Sequence, residues 1–357
     1  MFKLNNGARK LSLLAALVLV LLLATACSGL QDTTDVGQGT STPSPNTSLP
    51  PPSSDQSGTV QMVPARAGSS MAYDRKRGVV ILFGGDTGMD TWAWNGQTWD
   101  QLFPASFPPA RSGASMAYDA ANDEIVLFGG IGTSGYPLSD TWLWDGTNWL
   151  PANPSLSPSA RTQASMTYDI AHQRIVLFGG MIVGASQATS TIADTWTWDG
   201  RDWTQLHPAV SPPARSQSAM TYDELHKQIV LFGGFSGNGV MGDTWTWDGK
   251  NWTQQHPHTN PVARAGASLV YDSAAEQLVL FAGVADPKVG DLHDMWIWSD
   301  NDWKQRMAQN VPGGFYTAAT YAAIQQRIIV YVVRGTDSVT SSSETWLWDG
   351  NAWLRLP

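Results

Sequence analysis

One cysteine, four glutamates and six scattered histidines are all that this 357-residue chain holds of the residues that most often carry chemistry. With Cys27 alone, no intramolecular disulfide and no cysteine-based metal cluster can form. The histidines (His172, His207, His226, His256, His258 and His293) give one close pair, His256-Pro-His258, without a third ligand at a zinc-like interval. Charge is also scarce, at 14% of residues, and acids outnumber bases by 30 to 21 for a net −9. Such a surface lacks the basic footprint that nucleic-acid binding needs. No metal, no cofactor and no nucleic-acid partner is expected.

The one long apolar run lies at the amino terminus. Lys3, Arg9 and Lys10 precede an apolar stretch from Leu11 to Leu23, and Ala24-Thr25-Ala26-Cys27 follows, which is the layout of an export signal. This end resembles the lipobox of bacterial lipoproteins, although Ala24 stands where that pattern usually has leucine. The resemblance implies a signal peptide over 1–26, a lipid on Cys27 and a membrane-anchored, extracytoplasmic protein of the cell envelope. Loss of 1–26 would take the net charge to −12. An ordinary signal peptidase acting at Ala24-x-Ala26, or an uncleaved leucine-rich anchor, are the other readings of the same residues. Behind Cys27, residues 27–63 carry Ser-, Thr- and Pro-rich runs such as Pro50-Pro51-Pro52. Such a composition cannot bury enough apolar surface to offset its ordering entropy, so it is expected to be a disordered tether. As a random coil it spans roughly 35 Å, and drawn into polyproline II about 110 Å.

What the chain does have is tryptophan in a fixed pattern. All 18 fall into six W-x-W-x4-W triplets, from Trp92/Trp94/Trp99 through Trp142/Trp144/Trp149 to Trp346/Trp348/Trp353. A period of about 50 residues is in the range of propeller blades. Each repeat reads alike. Arg111-Ser-Gly-Ala-Ser-Met-Ala-Tyr118 leads to Asp119 and a polar turn, then Ile125-Val-Leu-Phe128, Gly129-Gly130, a loop, Asp140-Thr-Trp-Leu-Trp144, Asp145-Gly146 and Trp149. These are four short β-rich runs, with Asp-Gly suited to the hairpin between the last two. The set of Arg, Tyr-Asp, an apolar strand ending in Gly-Gly and a paired-aromatic strand before a final Trp resembles the kelch repeat, over 64–357. The resemblance implies an all-β, six-bladed β-propeller of four-stranded antiparallel blades, at about 64–105, 106–154, 155–208, 209–257, 258–308 and 309–357.

Spacing separates the framework from the variable parts. From Arg to Tyr is 7 residues in five repeats, and from Tyr to the strand-ending aromatic is 10 in all six. The last Trp lies 12 before the next Arg wherever that Arg exists. Length changes only between the strand-ending aromatic and the first Trp: 9, 14, 18, 13, 15 and 15 residues. With strands lettered a to d from the axis, these b–c loops emerge at the same end as the d–a connections. Variable loops on a fixed scaffold are where function usually sits. The sixth repeat departs from the rest: Gly314 stands where Arg is expected, with Phe315 and Tyr316 beside it, and Glu344 replaces the Asp before Thr-Trp. Because the first repeat begins with its own a strand and the last ends with a d strand, ring closure is expected to rest on packing of blade 1 on blade 6, with Val60–Val63 as a candidate extra strand.

Arg66, Arg111, Arg161, Arg215 and Arg264 stand at the start of the innermost strands. Structurally they would pair with Asp90, Asp140, Asp194, Asp243 and Asp294; functionally they would ring the channel mouth and bind carboxylates bidentately. In some kelch proteins arginines at this rim contact acidic ligands. With Phe315 and Tyr316 they are the candidate ligand-binding residues. The tryptophans are expected to be core. The kelch-type copper oxidase, which uses a Tyr cross-linked to a Cys, is excluded because Cys27 lies outside the repeats. The expectation is a monomeric, non-catalytic binding module for a protein or glycan, acidic ligands included. The alternative is a sugar mutarotase or epimerase, for which Asp86, Asp286 and Asp337 are the loop carboxylates. The two separate on whether a desolvated carboxylate converges with arginine at the mouth.

Overall fold

The computed structural model describes residues 63–86, 88–184, 188–285, 290–314, 317–335 and 341–357, and every regular element among them is a strand. Ser70–Asp74, Val79–Phe83, Thr91–Trp94 and Trp99–Leu102 form the first four-stranded sheet in that order, each antiparallel to the next. Five more sheets repeat it, with innermost strands Ser115–Asp119, Ser165–Asp169, Ala219–Asp223, Ser268–Asp272 and Thr317–Ala322. Innermost strands of successive blades lie within 8 Å of each other, and the sixth returns to the first. The fold is therefore a closed six-bladed β-propeller, as the repeats imply.

The b strands, such as Ile125 to Phe128, are continuous apolar runs with almost no exposure because they are covered on both faces. One face carries its own blade's contacts to the next blade, the other to the preceding one. Between b and c the chain varies. Blade 3 adds a small hairpin, Met181–Val183 with Thr189–Thr191. Blade 4 extends its b and c strands, Gln228–Ser236 and Gly239–Trp247, past a register shift between Phe232 and Gly234.

The core sits between blades rather than at the axis. In each blade the d-strand tryptophan stacks at a tilt on the second c-strand tryptophan, with centroids 5.0–5.6 Å apart. The same ring meets the b-strand phenylalanine of the preceding blade: Phe83 with Trp149 and Phe128 with Trp203, both at 5.3 Å. Its Nε1–H crosses the seam to a threonine that opens the preceding c strand. Trp149 donates to Thr91, Trp203 to Thr141, Trp252 to Thr195 and Trp303 to Thr244, at 2.9–3.0 Å.

Ring closure uses the same device. Trp99 donates to Thr345 Oγ1 at 2.9 Å and lies 6.4 Å from the Tyr331 ring, so blade 6 receives blade 1 as any blade receives the next. Tyr331 donates to Pro64 O at 2.7 Å, and the Ser343 hydroxyl donates to Val63 O. Val63 is buried in this seam and belongs to no strand, so it contributes to closure by packing and by this one carbonyl rather than by strand pairing; residues 60–62 lie outside the described residues. One seam differs. Blade 5 has Met295 at the threonine position, and Trp353 Nε1 is buried without a partner.

The indole–threonine bond gives a direct test. Thr91→Val keeps the shape but leaves Trp149 Nε1 buried and unbonded, which should cost about 1–3 kcal/mol. Thermal or denaturant unfolding would read this as a lowered midpoint. An unchanged midpoint would mean that the crossing bond contributes nothing to the seam.

Candidate functional site

The five arginines all stand in the same environment, and it is an enclosed one. Their side chains are 0–9% exposed. Arg111 donates from Nε to Pro109 O, from Nη1 to Gly129 O, and from both Nη atoms to Asp140 at 2.6 and 2.7 Å. Arg161 uses all five N–H groups: Ser159 O and Oγ, Gly179 O and both Asp194 oxygens. Arg215 and Arg264 repeat the Arg111 pattern with Asp243 and Asp294, and Arg66 forks onto Asp90. Each aspartate also accepts from the first c-strand tryptophan, as Asp140 does from Trp142 at 2.7 Å. One carboxylate thus ties the start of strand a, the end of strand b and the start of strand c. The clamp fixes both stems of the b–c loop and leaves its tip free to vary. The structural pairing set out above is present at all five positions.

Burial alone would lift these carboxyls. Hydrogen bonds and charge from arginine, with the indole N–H, outweigh it and hold Asp140, Asp194, Asp243 and Asp294 below the ordinary 3.8. Asp90 is lowered in the same way by Arg66 and Trp92. They are ionised at neutral pH and cannot donate a proton there.

Blade 6 keeps this clamp in altered form, which its sequence did not reveal. Glu344 accepts from Trp346 Nε1 at 2.8 Å and from Arg334 Nε at 3.3 Å, while Arg334 Nη1 donates to Gly313 O at 2.8 Å. Arg355 also approaches Glu344, at 3.3 Å. A cation from the end of strand b therefore replaces the one missing at Gly314, and the longer acid reaches it. Phe315 and Tyr316 lie outside the described residues, as do Asp286, Asp337 and Cys27. Asp86 accepts from Ala67 N at 2.9 Å; crowding pushes its carboxyl above 3.8 although the residue remains exposed at the rim.

Inside this clamp ring the channel mouth narrows to a cavity of about 120 Å³. Its wall is nearly uncharged and presents more apolar than polar surface, with Ser69, Ser112, Thr162, Gln163, Gln217 and Thr317 among the residues that form it. The opposite mouth is wider, about 230 Å³, and ringed by Tyr73, Tyr118, Tyr168, Tyr222, Tyr271 and Tyr321. Each of these hydroxyls accepts from the a–b turn of the preceding blade: Tyr73 from Ile324 N at 3.2 Å, Tyr321 from Ala274 N at 3.1 Å, and the others from Lys76, Ala121, Ala171 and Leu225. Burial raises the Tyr118 and Tyr271 hydroxyls to about 12, so they stay protonated. This end is a second ring of interblade ties.

The remaining candidates are turn residues. His172 and His226 brace their own a–b turns, Nδ1 to Asp169 at 2.9 Å and to Asp223 at 2.7 Å. Among the described residues no three His, Asp or Glu side chains converge as a metal set. Glu124 is pushed up to about 7 by burial, with Asp119 and Asp145 adding repulsion. It sits on the tyrosine side, away from the clamps. Compared with known proteins, the chain matches no family model and no curated protein, so the kelch resemblance rests on the repeat residues themselves.

Removing one partner of a buried pair is costly, so Arg161→Ala should lose about 3–5 kcal/mol. A loss below 1 kcal/mol in equilibrium unfolding would show that solvent replaces the guanidinium. The depressed aspartates contribute stability above their unfolded value of 3.8 and lose it as pH falls through their lower folded values. Asp194→Asn should therefore destabilise the fold at pH 7 and flatten the acid limb of its melting curve. Glu124 has the opposite sign. Its folded pKa is raised from 4.5 to about 7, so stability falls as pH rises between them. Glu124→Gln should gain on the order of 1 kcal/mol at pH 8, after allowance for solvent screening, and almost nothing at pH 4. Equal effects at both pH values would contradict the assignment.

Proposed function

We propose that the chain is a recognition module of the cell envelope, held to a membrane by lipid on Cys27. It would present the b–c face of the propeller to a protein or glycan ligand. The observation that carries this reading is the clamp. Five arginine–aspartate–tryptophan units and their blade 6 variant hold the loop stems rigid, while the loops between them differ in length and structure. Rigid stems with variable tips form a surface that can be specialised without cost to the fold. The arginines act in this reading chiefly through the loops they fix, and an acidic ligand would meet them only where a carboxylate opens.

Two features favour binding over the mutarotase alternative. The carboxylates beside the arginines are held ionised, as an electrostatic clamp requires and a general acid does not. The raised carboxyl at Asp86 feels the charge of Arg66 but makes no ion pair with it among the described residues; a backbone N–H is its hydrogen-bond partner.

The anchor and the binding face are tested separately. In a bacterial host the wild-type chain should partition into detergent, and Cys27→Ser should lose that partition or remain unprocessed. Unchanged mobility and location would end the lipid assignment. For the face, the full chain in detergent would be applied to a glycan array and used in pull-downs from cell-surface extract. Replacing the blade 3 loop, 181–193, with the shorter loop of blade 1 should weaken capture at least tenfold while the melting midpoint is kept. Retained capture would place binding elsewhere.

A further inference from the structure

Blade 6 is where the one-to-one balance of the clamps breaks. In blades 1 to 5 one arginine meets one aspartate at 2.5–2.7 Å, and its side chain is 0–9% exposed. In blade 6 two arginines meet one glutamate, Arg334 from Nε and Arg355 from Nη2, both at 3.3 Å. Their side chains are 33% and 59% exposed, beside a Glu344 side chain that is 10% exposed. Strand register accounts for the convergence. Val332 lies opposite Glu344 and Trp346 opposite Arg355, so alternation puts Arg334, Glu344 and Arg355 on one face of the blade.

The fold does not need the second arginine. Two residues after the last tryptophan, where Arg355 stands, the other repeats have Gln101, Pro151, Gln205, Gln254 and Gln305, and their clamps close without a cation there. Arg334 alone would balance Glu344. Two cations against one carboxylate leave one positive charge uncompensated, in a chain whose total is −9. No other carboxylate lies within ion-pair distance of either arginine among the described residues. Donors are left over as well. Arg334 uses Nε on Glu344 and Nη1 on Gly313 O, and its Nη2 has no hydrogen-bond partner among the described residues. Arg355 has no contact of this kind there beyond its approach to Glu344. Glu344 itself is fixed by Trp346 Nε1 at 2.8 Å. The two guanidiniums therefore flank a held carboxylate, one on each oxygen, with N–H groups available to a second acceptor.

We propose that Arg334 and Arg355 form a docking site for one acidic side chain of a partner protein. This rests on the recognition reading above and specifies its partner. The five closed clamps show how a guanidinium of this framework meets a carboxylate, by a two-pronged fork such as Arg111 on Asp140. A second carboxylate would complete blade 6 in the same chemistry and cancel its unpaired charge. The site is open to solvent, where an ion pair alone contributes little. A small free acid therefore binds weakly, whereas a protein adds contacts to the b–c loops on the same face. A polyanionic glycan is the poorer match. It needs a row of cations, and the other five clamps are neutral and enclosed.

Arginine Nε–H signals, followed by NMR in the full chain in detergent, read the site directly, and the five enclosed arginines serve as the internal reference. The probes are N-acetylglutamate amide, N-acetylglutamine amide, a triglutamate peptide and a galacturonate trimer. The glutamate derivative should move the Arg334 and Arg355 signals together, less so as salt rises, and leave Arg66, Arg111, Arg161, Arg215 and Arg264 in place. The glutamine derivative should move none of them. Arg355→Gln leaves one arginine on one acid, as in the other blades. It should weaken the glutamate response and the capture of protein by at least about fivefold while the melting midpoint is nearly kept, and Arg355→Lys should restore part of both. Still signals for both arginines overturn the proposal, and so does movement of Arg355 alone, the behaviour of a solvated surface charge. A galacturonate trimer that binds more tightly than triglutamate would assign the site to a glycan and overturn the protein partner. Full capture by Arg355→Gln would leave the recognition reading intact and remove only this site. Absence of capture by the wild-type chain would count against the recognition reading itself.

Discussion

The propeller depends on what the outermost tryptophan of each blade does to the blade before it. That ring is packed on the neighbour's phenylalanine and hydrogen-bonded to the neighbour's threonine at the same time. Packing alone is non-directional and would let blades slide, because apolar contact scales with area and not with register. The indole N–H fixes the register, since a slip would leave a buried donor unbonded. Repeated around the ring, the pair of contacts makes each blade's position a consequence of the one before. Closure then needs no shared strand: Trp99 finds Thr345 and Tyr331 as every other tryptophan finds its partners. The seam that lacks the bond, at Met295, keeps the ring packing, with Phe281 and Trp353 at 4.9 Å, and is tied elsewhere, as by Arg306 Nη2 to Gly350 O at 2.7 Å.

A second constraint decides which end of the molecule can change. The tyrosine end is tied from blade to blade by hydroxyls on backbone N–H groups, so its short turns are structural parts. At the other end each blade has a tie of its own, where one carboxylate gathers an arginine and an indole beneath the b–c loop, beside backbone bonds that pass from blade to blade. With both stems fixed in this way, the tip of the loop between them can lengthen. This is the physical reason that all the length variation lies between the strand-ending aromatic and the first tryptophan of each repeat. It is also why blade 6 could lose its first-strand arginine: Arg334 and Glu344 rebuild the same local tie from different positions.

Most of this architecture was legible in the sequence because it is repeated. Tryptophan triplets, the 7- and 10-residue spacings and the confined length changes identify strands, blade number and the variable face without any coordinates. The pairing of Arg111 with Asp140 and its counterparts was likewise one of two readings on offer, and burial decided for it. What could not be read was anything that breaks the repeat and is compensated in space. The link between Arg334 and Glu344 joins two departures ten residues apart that look in sequence like decay. Met295 in place of threonine is invisible until Trp353 is seen across the seam. At the left-handed position before the innermost strand the repeats read Gly, Gly, Gln, Gln, Gly, and the sequence alone does not reveal that all five share one backbone conformation.

These departures are not spread evenly around the ring. Blade 3 has the longest spacing between its aromatics and an added hairpin, and blade 4 has the extended b–c ribbon. The same two blades carry Gln163 and Gln217 at the left-handed position, and the unbonded Ser216 hydroxyl. Blade 1, by contrast, has glycine at that position and the shortest spacing of the six. A scaffold of six equivalent positions has thus been made uneven, with the longest spacing and the left-handed glutamines falling in neighbouring blades. Symmetric framework residues explain the ring; they cannot explain this, because stability alone would favour glycine at all five of these positions and a partner for the buried amide oxygens of Gln163 and Gln217. The asymmetry is therefore something the ring tolerates rather than something it needs.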